Sequence, residues 1–160
     1  MMKKLLIYTS VLSLILAGIP TKILAKDSHG IEGTSHIIGA GAFPFKRLRA
    51  SHPNHYLRIH VQGQAISSLT IELPEAMTIK DGVKVTDETG TELKPKVTLD
   101  PEKVTLAFAQ PIAPDTTLSI KLKDVHRERF IIRTLMYRIN VLKVGMEREV
   151  SLGVARIHTD

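Results

Sequence analysis

Six short runs decide how this chain folds: YLRIHV (56–61), LTIEL (69–73), VKVTDETGTEL (83–93), KVTL (96–99), KVTLAF (103–108) and TLSIKL (117–122). In the first, Leu57, Ile59 and Val61 share one parity, while Tyr56, Arg58, His60 and Gln62 hold the other. An extended backbone therefore puts three aliphatics on one face and polar groups on the opposite face, the pattern of a half-buried strand. The same phase returns in Leu69, Ile71 and Leu73, in Val83 and Val85, in Val97 and Leu99, in Val104, Leu106 and Phe108, and in Leu118, Ile120 and Leu122. Each such side chain is worth roughly 1.5–3 kcal/mol when buried. A slip of one residue would expose a whole row, so register is strongly specified.

The punctuation between the runs is turn chemistry. Pro74 cannot donate to a ladder and suits a strand end. Residues 83–93 read as a hairpin around Asp87-Glu88-Thr89-Gly90, with Gly90 supplying a positive φ. A second hairpin joins Val97–Leu99 to Val104–Phe108 through Asp100-Pro101-Glu102. Gln110–Asp115, with its two prolines, reads as a stiff connection, and Asp124–Arg129 as a charged turn. Ile131–Leu142 is long and apolar enough for a helix, but Leu135, Tyr137, Ile139 and Val141 alternate, which favours a strand. Val150–His158 is the last strand, with Gly153 marking a bulge. About eight strands spaced near ten residues apart predict an all-β fold, an antiparallel immunoglobulin-like β-sandwich over residues 54–160.

Ahead of it, Lys3 and Lys4 precede an apolar run from Leu5 to Ile19, and Ala25 offers a small residue before Lys26. Residues 1–25 thus read as a secretory signal peptide, and the run is short for an uncleaved anchor. The expectation is export to the periplasm or beyond, with no integral span after cleavage. Residues 26–53, broken by Gly30, Gly33, Gly39 and Gly41, read as a loosely structured lead-in with one short strand near Ser35–Ile38.

The chain of 160 residues carries a formal charge of +6. Removing residues 1–25 takes away three lysines and no acid, leaving +3, which argues against a nucleic-acid partner. The absence of cysteine excludes disulfides, lipid attachment through a thiol and Cys-based metal or redox sites. With no Trp, three Tyr and four Phe, extensive stacking platforms are missing.

Candidate chemistry is sparse. His52 and His55 flank Pro53-Asn54 and could converge on a divalent metal, with His60 on the opposite parity to His55. The alternative is a set of surface or edge-strand histidines. Asp87, Glu88, Asp100 and Glu102 are explained by turn chemistry without calcium. No Gly-x-Ser-x-Gly elbow is present, and Gly39-Ala40-Gly41-Ala42 lacks the context of a phosphate cradle. Lys46, Arg47 and Arg49, and the positive residues Arg127, Arg129, Arg133, Arg138, Lys143 and Arg148, could attract anions, although Glu128, Glu147 and Glu149 are interleaved with the latter. No catalytic or cofactor-binding residue is predicted.

LTIELPE (69–75), PIAPDTTL (111–118) and LGVARI (152–157) together resemble a family of exported cyanobacterial proteins, the domain of unknown function twenty-eight-oh-eight, from about Tyr56 to the C-terminus. Asp115 stands where that family usually has Gly, and Val125–Arg129 replaces an Asn-Pro turn, as in a divergent member. The resemblance implies export and a β fold and carries no catalytic residues. The expected function is a non-catalytic binding module of the cell envelope whose partner is an envelope protein or an anionic polymer. Periplasmic metal binding through His52 and His55, and an envelope hydrolase using paired carboxylates, are the alternatives.

Overall fold

The computed structural model describes residues 33–43, 53–127 and 134–158. All of them belong to one unit, Ile31–Asp160. Residues 1–25, expected to be a signal peptide, and Lys46, Arg47, Arg49, His52, Arg129 and Arg133 lie outside the described residues.

The described residues form twelve strands: β1 (His36–Phe43), β2 (Asn54–His60), β3 (Ile66–Glu72), β4 (Met77–Ile79), β5 (Val83–Thr86), β6 (Glu92–Leu93), β7 (Lys96–Leu99), β8 (Lys103–Ile112), β9 (Thr117–Leu122), β10 (Val125–Arg127), β11 (Thr134–Lys143) and β12 (Val150–His158). All pairings are antiparallel. One sheet has the order β1-β2-β9-β5-β6, the second β12-β11-β3-β8-β7, and β10 pairs with β4 in a small ladder. The two five-stranded sheets pack as a sandwich, and β1 runs close to β12 along one flank without joining its ladder.

Parity sets the core. Leu57, Ile59, Leu118, Ile120 and Leu122 from the first sheet meet Leu69, Ile71, Val104, Leu106, Leu135, Tyr137, Ile139 and Val141 from the second, all buried. Val97 and Leu99 lie opposite Leu106 and Val104 and so share the inward face. They remain 38% and 48% exposed, because β7 is the outermost strand of its sheet and β6 contributes only two residues to the other.

Three segments differ from the sequence reading, and a fourth follows it. The strand expected near Ser35–Ile38 runs on to Phe43 and pairs along β2, with Ile38 as an extra residue between Ile37 and Gly39. The connection at Gln110–Asp115 begins later, since β8 includes Pro111 and Ile112. Between the Ser68–Ala107 and Ile66–Ile112 pairs, β8 carries more residues than β3, and Pro111 sits in that bulge, where no ladder donor is required. The charged turn after Leu122 contains β10, which pairs with β4 and adds Val125 and Met77 to the core. Asp124 makes the turn with φ 52°, and its N–H donates to Asn54 Oδ1 at 3.2 Å. Finally, Gly153 forms the expected bulge at φ 110°, opposite Ile139.

Candidate functional site

Because the inner face is packed with aliphatics, chemistry must come from polar side chains inside the sandwich or from its outer faces. Inside, one pair stands out. His55 shares the parity of Leu57 and Ile59, so β2 carries it into the core, where it is 2% exposed. Tyr137, from the alternation of β11, faces it from the other sheet, fully buried, and its hydroxyl is hydrogen-bonded to His55 Nδ1. The rings meet edge to face at 5.7 Å. Burial, and secondarily the charge of Arg127, pushes the His55 pKa down to about 4, so the imidazole is neutral near pH 7. Burial likewise raises the Tyr137 phenol above its ordinary value. Neither group is placed to meet solvent. The pair is an inter-sheet clamp.

His55 is neither a surface nor an edge residue, and its Nδ1 is taken by Tyr137. His60 points to the opposite face, as its parity requires, and His52 lies outside the described residues. Among the described residues no three of His, Cys, Asp and Glu are grouped as metal ligands.

Carboxylates line a hollow of about 760 Å³ at the β3–β4 and β7–β8 turns, where Glu72, Glu75 and Glu102 come together. Glu72 is held by Arg138 at 3.1 Å and by Asn140 at 3.0 Å. Glu75 and Glu102 are exposed. A catalytic acid needs an environment that holds its proton near neutral pH, usually an apolar enclosure. These exposed carboxyls have none.

The outer face of the β1-β2-β9-β5-β6 sheet is different. Register places Gly39 opposite Arg58 and Gly41 opposite Tyr56. Across β2, Arg58 faces Ser119 and Tyr56 faces Lys121. Two glycines thus leave a floor of bare backbone beside a row of long side chains. The result is a hollow of about 440 Å³ lined by Gly39, Ala40, Gly41, Phe43, Tyr56 and Arg58. Phe43 is 53% exposed. Lys121 Nζ sits 5.5 Å from the Tyr56 ring centroid, a cation–π contact that orients both. Lys84, opposite Lys121, is paired with Glu92 at 3.1 Å. Arg58 and Lys121 have no such carboxylate partner among the described residues. At the far end of the face His36 stands opposite His60, which is bonded through Nδ1 to Thr117 Oγ1 at 3.2 Å.

The sequence reading overlooked this face. Its aromatic and basic residues are dispersed over 43–58 and 121, and glycines carry no periodic signal; only the β1–β2 register brings them together.

The family described as Protein of unknown function (DUF2808) matches residues 42–158. The chain belongs to this family. The match begins near the end of β1 and takes in all later strands. No curated protein matches the chain. Among solved structures, the collagen-binding domain from a Staphylococcus aureus adhesin is similar at a TM-score of 0.50 and 10% identity, over 79% of this chain and 97% of that one. ACE19, the collagen-binding subdomain of the Enterococcus faecalis surface protein ACE, is similar at a TM-score of 0.49 and 10% identity, over 74% of this chain and 94% of that one. At such identity the likeness to the first is one of fold: an immunoglobulin-like sandwich built from antiparallel sheets. Among the described residues no helix is long and apolar enough to cross a membrane.

Proposed function

We propose that this chain is an exported, non-catalytic binding module of the cell envelope, and that it holds an extended anionic polymer along the outer face of the β1-β2-β9-β5-β6 sheet. The observation that carries the reading is the glycine-floored hollow bounded by Phe43, Tyr56 and Arg58, with Lys121 beside it. Bare backbone at Gly39 and Gly41 lets a ligand chain approach closely. Tyr56 and Phe43 offer ring faces against which a sugar ring or similar flat unit packs. Arg58 and Lys121, with no carboxylate partner among the described residues, supply charge for acidic groups. Export is supported by the basic and apolar segment of residues 1–25. The non-catalytic reading is supported by the commitment of His55 to Tyr137 and of Glu72 to Arg138 and Asn140.

The test is retention of the purified protein on immobilised carboxylated or sulfated polysaccharide, against neutral dextran as control. Retention is expected on the acidic supports, released by salt and lost in Arg58→Gln/Lys121→Gln. Gly39→Leu is expected to lose it as well, because a Cβ there meets only Arg58 Cβ at 4.0 Å and the larger side chain fills the hollow without disturbing the fold. Equal retention of wild type and all variants would overturn the placement. Turnover on a panel of glycan and ester substrates would overturn the non-catalytic reading, and recovery of the protein with residues 1–25 intact would overturn export.

A further inference from the structure

The same outer face ends in a pair of histidines that come from segments 24 residues apart and belong to no motif. His36, the first residue of β1, is the register partner of His60, the last residue of β2. Their ring centroids are 5.6 Å apart with the planes at 66°. Each ring is anchored through the same nitrogen. His36 Nδ1 lies 3.0 Å from the Thr34 carbonyl oxygen, which can only accept, so Nδ1 carries the proton and donates. In the neutral ring this leaves Nε2 as a bare lone pair. His60 Nδ1 lies 3.2 Å from Thr117 Oγ1, and donation to that hydroxyl leaves its Nε2 bare in the same way. Neither Nε2 meets a partner among the described residues.

We infer that His36 and His60 form a two-imidazole site for a divalent transition cation such as Zn²⁺, Ni²⁺ or Cu²⁺. Metal-binding imidazoles characteristically donate their second ring N–H to a carbonyl or another acceptor, which fixes the tautomer and aims the free nitrogen. His36 meets that condition before any ion arrives, and His60 meets it when its Nδ1 donates to Thr117 Oγ1. Two imidazoles bound to one ion at about 2.0–2.1 Å with a tetrahedral angle have centroids roughly 5 Å apart, close to the 5.6 Å between these two rings. Imidazole ligands select borderline cations over Mg²⁺ and Ca²⁺, which prefer oxygen. With no third His, Cys, Asp or Glu in the group among the described residues, the site is open, and water fills the remaining positions. The inference stands apart from the polymer reading, since it rests on His36, His60, Thr34 and Thr117 and on none of the residues that line the hollow.

Calorimetric titration of protein purified without an affinity tag, with ZnSO₄ or NiCl₂ alone, tests it. One ion per chain is expected, with no heat from MgCl₂. Either His36→Asn or His60→Asn should abolish binding. Thr117→Val, which removes only the anchor of His60, should weaken it by about 10- to 100-fold, the usual effect of losing such a partner. His158→Asn and His126→Asn should leave it unchanged. With Cu²⁺, the paramagnetic spectrum should show two equivalent nitrogens. His36 and Thr117 are at least partly exposed, so these variants keep the core intact. Binding that survives in the His36→Asn/His60→Asn double variant, or no binding at millimolar Zn²⁺, overturns the inference. Loss of polymer retention with metal binding intact, or the reverse, separates the two readings.

Discussion

Replacing Tyr137 by Phe removes one oxygen from the centre of the sandwich, and the consequence can be worked from the geometry. His55 is 2% exposed and Nδ1 bonds the Tyr137 hydroxyl, while every other buried side-chain nitrogen and oxygen described is also partnered. Without the hydroxyl, Nδ1 is left dry and unpaired, which costs about 1–3 kcal/mol. Removing both polar groups, in His55→Leu/Tyr137→Phe, eliminates the unmet need as well as the bond, so the double variant should be less destabilised than Tyr137→Phe alone.

The same pair writes a signature in pH. The unfolded chain protonates His55 below its ordinary value of 6.5, whereas the folded chain resists until about pH 4, because burial and then Arg127 disfavour the imidazolium. Between those values the unfolded state binds more protons, so stability rises with pH. The contribution is fully present above about pH 6.5, declines on acidification and is gone below about pH 4. Its size is on the order of 3 kcal/mol. Urea unfolding at steps from pH 7.5 to 4 measures it, and the difference between wild type and the double variant isolates it from carboxylates common to both. An unchanged pH slope in the double variant, or a Tyr137→Phe protein as stable as wild type, would refute the reasoning.

Two further outcomes test the fold. Asp115 adopts φ 64°, its N–H donates to the Val61 carbonyl at 2.8 Å, and its side chain is exposed; Asp115→Gly should keep the bond, relieve the left-handed backbone and stabilise by about 0.5–1 kcal/mol in urea melts. Ile120 and Val97 have the same strand parity but different cover, so Ile120→Ala should cost about 2–5 kcal/mol, and Val97→Ala, at an exposed sheet edge, well under half of that by the same assay.

Parity explains what could be read ahead of the structure. Alternation located nine of the twelve strands because each carries at least two aliphatics in phase or closes a recognisable turn, and it placed Tyr137 in phase with Leu135, Ile139 and Val141; His55, expected as a metal ligand or a surface or edge-strand residue, in fact continues Leu57 and Ile59 backwards into the core. What it could not supply was that the two meet, because they are 82 residues apart and belong to opposite sheets. β4 and β10 escaped because three residues cannot show a period, and the pairing depends on the backbone of Asp124. Most of β1 escaped because Gly39, Ala40, Gly41 and Ala42 are too small to display an apolar face. The cover over Val97 and Leu99 depends on how far the facing sheet extends, which is a property of β6 and not of β7.

The two outer faces divide along the same physical line. On the β12-β11-β3-β8-β7 sheet, Arg138 and Asn140 engage Glu72, and Thr70 donates to Glu149 at 2.6 Å. On the opposite sheet the acids are taken elsewhere: Glu92 by Lys84, Glu88 by the Thr117 N–H at 2.7 Å. Arg58 and Lys121 are left facing water. Glycine in a strand interior costs roughly 0.5–1 kcal/mol relative to alanine, and β1 carries two, both on this outward side, while Ala42 packs against the core. A strand arranged for stability alone would put side chains there and acids beside the cations. The combination makes sense if the space and the charge are kept for something that comes from outside the chain.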